Sequence, residues 1–391
     1  MTARRLRIGV LDLTNAGWLG GLSYTHMIIH SLAAACRDGD ADLCAFTIGN
    51  SRLPDGVTNV EVIPVAAQPA SRIVRGARRF LPLRDPSNLF WLAKKHGINV
   101  VLPTLGVPRF TFGTRSVAWI PDFQHVQLPQ FFEERELRER DSQFRRLADK
   151  GDAVMLSSHD AHRDFLRFAP ENTEKAAVLP FPSLFAFHAL TGDPTAAVAK
   201  YHLPQKFALV VNQFWAHKNH AVVVEALKQL RQDGMRIPVV MTGLPNDPRD
   251  RQNAVLSNLL QQVATSQLQE QVTILGRVPY ADLVSLMRST ALFIQPSRFE
   301  GWNTSVQDMK AIGRPMICSD IPVHREQAPA SLGFFGCDDP RALAATMSRV
   351  WPPLAPGPDE TAEAAALIAE HEFAAAHGRS LLNLCRQVMA R

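Results

Sequence analysis

"FALVVNQFWAHKNHAVVVEALKQLRQDGMRIPVVMTG" (207–243) is two short apolar runs around one helical stretch. "FALVVNQ" (207–213) and "IPVVMTG" (237–243) are β-branched runs of strand length, while "HAVVVEALKQLRQDG" (220–234) carries helical spacing and ends at a glycine. Strand, helix and strand in that order predict a βαβ unit and hence a parallel sheet.

The same alternation runs through most of the chain. On the N-terminal side the expected strands are 6–13, 42–49, 60–65, 99–105, 115–122 and 153–158; beyond 243 they are 272–276, 291–297, 315–320 and 332–335. It pauses at "PSLFAFHALTGDPTAAVAKYHLPQK" (182–206), rich in Pro and small residues. An α/β protein of two Rossmann-like domains facing a cleft is therefore expected. Its boundaries are 1–185 for the first domain, 186–206 for a linker and 207–370 for the second; 371–391 would be a C-terminal helix packing back on the first. The length of 391 residues also suits two cores better than one.

Composition narrows the classes without choosing among them. Hydrophobic residues at 46% and charged residues at 20% fit a globular chain and exclude wholesale disorder. A net charge of +5 permits phosphate or an anionic surface as partner and requires neither. The five cysteines are scattered without a C-x-x-C pair, so neither a disulfide framework nor a zinc cluster is expected, and a cytoplasmic setting follows. No run approaches the roughly 18 apolar residues of a membrane span, so any membrane contact is expected to be peripheral.

"QPSRFEGWNTSVQDMKAIGRPMICSD" (295–320) carries the chemistry. An apolar strand ends in a loop bearing Glu300 and Gly301. Thr304 and Gln307 form a T-x-x-Q capping pattern, and Val306, Met309 and Ile312 give the following helix one apolar face. The unpaired amides at the start of such a helix favour a phosphate. Glu300 before them and Asp308 one turn later are acids that accept from hydroxyls; the alternative is two solvated acids. A diphosphate between two polyol-binding acids describes a nucleotide sugar.

"PSRFEGWNTSVQDMKAIGRPMICSDIPVHREQ" (296–327) resembles the donor-site signature E-x7-E of family 4 glycosyltransferases with the GT-B fold, here Glu300-x7-Asp308. The resemblance implies Glu300 on the sugar, Asp308 on the ribose, and Gly301, Thr304 and Ser305 about the phosphates. In "FALVVNQFWAHKNHAVVVEAL" (207–227) it implies that Lys218 contacts the diphosphate, with Gln213 where many relatives carry Arg. In "ILGRVPYADLVSLMRSTALFIQPS" (274–297) it implies that the backbone near Arg277 and Val278 holds the base.

The N-terminal half adds further candidates. "LTNAGWLGGLSYTHMIIHSLAAAC" (13–36) is expected to be a strand-to-helix turn with Gly20 and Gly21 ahead of the helix; the resemblance implies that it approaches donor phosphates and acceptor, and a plain turn is the alternative. "WIPDFQHVQLPQFF" (119–132) offers Asp122 and His125 as cleft residues near sugar or acceptor, with Pro121 where relatives often have His; a structural histidine is the other reading. The basic stretch "SRIVRGARRFLPLR" (71–84) suits anionic headgroups or a lipid-diphosphate acceptor, or is an ordinary solvated face. "FFEERELRERDSQFRRL" (131–147) reads as a salt-bridged surface helix.

The function so implied is a retaining, metal-independent hexosyltransferase. It would move a sugar from a nucleotide-diphosphate donor to a saccharide or lipid-linked saccharide hydroxyl, as in surface polysaccharide or lipopolysaccharide assembly. It needs no cofactor and no nucleic acid. No D-x-D pair following a strand suggests a metal site. A GT-B-fold epimerase and an idle nucleotide-sugar-binding subunit are the alternatives.

Overall fold

The computed structural model describes residues 5–11, 19–36, 39, 41–48, 53–65, 87–107, 111–188, 190, 192–245 and 253–391. The chain divides into two compact units. Met1–Phe123, Glu133–Phe187 and His371–Arg391 make the first; Gln124–Phe132 and His188–Glu370 make the second.

In the first unit β1 (Leu6–Leu11), β2 (Ala41–Ile48), β3 (Val60–Val65), β4 (Val100–Thr104), β5 (Arg115–Ile120), β6 (Ala153–Leu156) and β7 (Ala176–Val178) form one sheet. Its order is β3-β2-β1-β4-β5-β6-β7 and each neighbouring pair is parallel. β4 and β6 are buried along their whole length, which is why their sequences are continuous apolar runs rather than alternating ones. Helices α1 (Leu19–Ala35), α2 (Ser87–Lys95), α3 (Glu134–Lys150) and α4 (His159–Phe168) belong to this unit. Ser158 caps α4 by accepting from the Ala161 amide at 3.0 Å. On α3 the expected charge pattern forms i,i+4 pairs: Arg138 with Glu134, Arg140 with Glu136 and Arg135 with Glu139.

In the second unit β8 (Ala208–Val211), β9 (Val239–Thr242), β10 (Val272–Gly276), β11 (Leu292–Gln295), β12 (Met316–Ser319) and β13 (Phe334–Phe335) form a parallel sheet. Its order is β10-β9-β8-β11-β12-β13. The connecting helices are α5 (His220–Gln232), α6 (Ala254–Thr265), α7 (Tyr280–Ser289), α8 (Thr304–Ala311) and α9 (Pro340–Val350). Val210, Met241, Ile294, Val223, Leu227, Leu343 and Met347 lie in one apolar core between sheet and helices.

The long α10 (Glu360–Ala390) starts in the second unit and from His371 onward counts with the first. There His377 Nδ1 lies 3.0 Å from Ser31 Oγ on α1. Gly378 is required at that crossing, because a Cβ on it would stand 2.2 Å from the Ser31 carbonyl oxygen. Among the described residues no helix is long and apolar enough to cross a membrane.

In the first unit the structure departs from the sequence expectations at two places. β7 was not anticipated: "AAV" is too short and too plain to signal a strand, and forms one by pairing with β6. Gly20 and Gly21 lie inside the first turn of α1 rather than in a turn before it, and the Gly21 carbonyl accepts from Thr25 Oγ1 at 3.0 Å. The basic stretch 71–84 lies outside the described residues.

Candidate functional site

β8 and β11 are neighbours at the middle of the second sheet, and the chain winds away from them in opposite directions. In a parallel sheet this is the point where a crevice opens at the carboxyl ends of the strands. The residues leaving these two strands pair across it. Asn212 Nδ2 donates to Gln295 Oε1 at 2.6 Å, Gln295 Nε2 returns a bond to Asn212 Oδ1 at 3.3 Å, and Ser297 Oγ donates to Gln295 Oε1 at 3.0 Å. Gly243, just past β9, allows the close approach here, since a Cβ would sit 1.9 Å from the Asn212 carbonyl oxygen.

The loops beyond this pairing are fastened to each other. After β8 the chain makes a 3₁₀ turn over Ala216–Lys218 and enters α5 through Asn219 in the left-handed conformation, φ 55°. Asn219 Nδ2 donates to the Cys337 carbonyl at 2.6 Å. From the loop after β11, the Arg298 amide donates to the His217 carbonyl at 2.8 Å and Nη1 to the Ala216 carbonyl at 3.0 Å. These bonds bring Lys218 Nζ to 2.6 Å from Glu300 Oε1 and 2.8 Å from Oε2. The two side chains are only 12% and 8% exposed. Such a pair, removed from water, loses its charge balance if either partner is taken away.

α8 begins beside this pair. Its cap is Asn303, whose Oδ1 accepts from the Val306 amide at 2.8 Å. The expected T-x-x-Q box at Thr304 does not form, because the Gln307 side chain turns instead to Glu370 on α10. Ser305 Oγ donates to the Val211 carbonyl at 3.1 Å and so ties the first turn of α8 to the end of β8. The helix thus presents its free amides and the positive end of its dipole at the sheet edge. Asp308, half-buried, lies a turn along.

Two histidines that sequence reasoning passed over stand close to the ion pair. His324 is fully buried, its Nδ1 3.0 Å from both the hydroxyl and the carbonyl oxygen of Ser319. Burial pulls its pKa down to about 4, against the opposing charge of Glu300, and Lys218 adds to the lowering. His220 stacks on Phe214 with centroids 4.6 Å apart, and burial together with Lys218 pulls it down to about 3. Both rings are therefore neutral at pH 7, and neither adds positive charge beside Lys218. The available signal for His324 was its place in "SDIPVHREQ", five residues after Ser319.

Other candidates fall in several places. Gln213 follows Asn212 and is half-buried, as is Gly301 beside Glu300. Exposed Arg277 and half-buried Val278 follow β10 at its carboxyl end. Thr304 and Ser305 form the first turn of α8. Asp122, half-buried past β5, and the two glycines of α1 belong to the first unit; buried His125, in the short helix Gln124–Gln127, counts with the second. The structure thus brings Lys218, Glu300 and the start of α8 together. Among the described residues no three His, Cys, Asp or Glu side chains cluster as a metal site.

Residues 197–350 match the family model described as glycosyl transferases group 1. No curated protein matches the chain by sequence. Among solved structures, a glycosyltransferase from Rickettsia africae is similar with a TM-score of 0.66 at 14% identity, covering 99% of each chain. Sucrose-phosphate synthase from Thermosynechococcus elongatus gives 0.65 at 17% identity, covering 99% of this chain and 100% of that one. Anabaena HepE, in complex with UDP and glucose, gives 0.63 at 15% identity and 98% of each. At such identities these likenesses establish the fold. The chain therefore has the two-Rossmann-like-domain GT-B fold, and the match to the group 1 model falls on the second sheet and its helices.

Proposed function

We propose that the protein is a retaining, metal-independent glycosyltransferase of the family 4 type. It moves a hexosyl group from a nucleotide-diphosphate sugar to a hydroxyl of a saccharide or lipid-linked saccharide, as in surface polysaccharide or lipopolysaccharide assembly at the cytoplasmic face of a membrane. The observation that carries this reading is the buried Lys218–Glu300 pair at the switch point of the second sheet, beside the start of α8. HepE, a protein of the same fold, has been captured with UDP and glucose, which supports a nucleotide sugar as donor.

In this reading the donor diphosphate lies against the amides of Thr304 and Ser305 and against Lys218. Glu300 accepts from sugar hydroxyls, Asp308 from the ribose, and the backbone about Arg277 and Val278 holds the base. Gln213 and Gly301 line the phosphates. The bond from the anomeric carbon to the diphosphate oxygen breaks with its electron pair going to the phosphate, whose growing charge Lys218 and the helix end stabilise. The acceptor oxygen adds from the same face and its proton passes to the departing phosphate oxygen, so no protein base is needed. Asp122, His125 and the Gly20–Gly21 turn of α1 serve the acceptor side, and holding the acceptor oxygen against the leaving-group face of the sugar is the rest of the protein's contribution.

A thermal-shift screen against UDP-, GDP- and dTDP-sugars, followed by product analysis with and without acceptor in EDTA, tests this. A shift with one nucleotide class and a glycosylated acceptor formed in EDTA are expected. Silence toward every donor overturns the reading, conversion of donor alone identifies an epimerase, and strict dependence on divalent metal removes the metal-free scheme.

A further inference from the structure

A line of buried polar side chains runs from α10 to the cap of α8. Glu370, Gln307, Gln327 and Asn303 are each at least nine-tenths buried. Gln307 Nε2 donates to both carboxylate oxygens of Glu370, at 3.0 and 2.8 Å. Gln327 Nε2 donates to Gln307 Oε1 at 3.5 Å and to the Asn303 carbonyl at 2.7 Å, and Gln327 Oε1 accepts the Asn303 amide at 3.1 Å. Asn303 in turn caps α8.

We propose that Glu370 is a positioning residue, fixing the start of α8 through this one-way chain of amides. The proposal rests on the reading of that helix end as the diphosphate site. Its logic is polarity. An ionised carboxylate only accepts, so Gln307 must turn its NH₂ toward Glu370 and its oxygen toward Gln327. Gln327 must then turn its NH₂ toward Gln307 and the Asn303 carbonyl, which leaves its own oxygen for the Asn303 amide. Each amide has two possible flips, and the anion at one end selects one for the whole chain. The result clamps Asn303 by its amide, its carbonyl and its side chain, the residue from which the free amides of α8 project. Burial pulls the Lys310 pKa down, and Glu370 opposes that lowering.

The chain predicts a specific rescue. Gln307→Glu sets two carboxylates face to face and should weaken nucleotide binding about tenfold through misplacement of the helix end. Adding Glu370→Gln should restore it, because the amide then sits on α10 and donates to the carboxylate at 307, which still accepts from Gln327. Affinity for the nucleoside diphosphate selected by the thermal-shift screen would be read by calorimetry, alongside hydrogen exchange at the Thr304–Val306 amides and denaturation midpoints. Wild-type affinity and exchange in the single variant, or a double variant no better than the single, overturns the proposal. So does a drop in stability alone with affinity and exchange unchanged. A wild-type protein that binds no nucleotide refutes the functional reading, while the exchange measurement still decides whether Glu370 positions α8.

Discussion

Among the described residues the second unit buries two ion pairs to almost the same depth, and they stand on different kinds of element. Arg288 on α7 grips Glu363 in the first turn of α10 with two parallel bonds of 2.9 Å, the partners being 11% and 10% exposed. Arg288 Nη1 also reaches the Gly192 carbonyl at 3.5 Å, so the planar fork has little freedom left. Both partners stand on helices, away from the carboxyl edge of the sheet. Lys218 and Glu300 instead stand on the two loops that leave the switch-point strands. A lysine ammonium is a compact charge on a rotatable stem, able to exchange one anionic partner for another without rebuilding its surroundings. Burial alone does not mark a site; the loops, the strand ends and the neighbouring helix terminus do.

The contrast breaks most sharply under paired substitutions. Glu300→Ala and the near-isosteric Glu300→Gln are expected to lower transfer on the order of 10³-fold while the protein stays folded. Glu363→Ala should spare transfer, although removing either carboxylate strands a buried cation. It leaves Arg288 buried without its carboxylate and costs roughly 3–5 kcal/mol of stability, with kcat and KM of the folded fraction unchanged. Initial rates and chemical denaturation on the same preparations distinguish the two. Wild-type turnover in both Glu300 variants would make Lys218–Glu300 a second structural pair.

A smaller effect separates the units by pH. His324 and His220 beside the ion pair, and His377 against Ser31 in the first unit, are all buried and held neutral; burial pulls them to about 4, about 3 and about 3. Each folded value lies below the ordinary 6.5. As pH falls from 6.5 the unfolded chain takes up protons that the folded one refuses. Stability present above pH 6.5 is therefore lost as pH drops toward 4 for His324 and toward 3 for the other two. Denaturation midpoints at pH 7.5 and 5 should differ in the wild type. The difference should narrow in His324→Gln and in His377→Gln, through separate units. A wild-type midpoint unchanged between those pH values would contradict the neutral, buried state of these rings.

What the sequence disclosed follows from what repeats in it. The alternation of apolar runs and helical stretches predicts both parallel sheets, because a strand covered on both faces must be apolar throughout. The loop of Glu300 and the turn of Lys218 are legible because their residue types match a long motif. Local chemistry was less reliable: the capping pattern at Thr304 was present, yet Asn303, one residue earlier, makes the cap. Partners far apart in the chain left no signal at all. Glu370 lies in an Ala-rich stretch with nothing around it to mark it, although it is buried against Gln307. His324 likewise has a polar sequence neighbourhood and a fully buried position. Long-range burial decides such residues, and periodicity within a window cannot register it.

Asp308 offers the mildest and most graded form of the comparison. Half-buried on α8, it stands where the motif carries Glu, one methylene shorter. If it accepts from the ribose, its bond forms equally in the bound donor and in the transition state. Losing it should then raise KM for the donor and spare kcat. Asp308→Ala is expected to raise that KM about tenfold, the value of one hydrogen bond to a charged acceptor. Asp308→Glu, which restores the longer arm, should leave KM within about threefold of the wild type, the scale of a net gain under 1 kcal/mol. Steady-state kinetics over a donor series will tell. A fall in kcat for Asp308→Ala equal to that of Glu300→Ala would move Asp308 from the ribose to the reacting sugar.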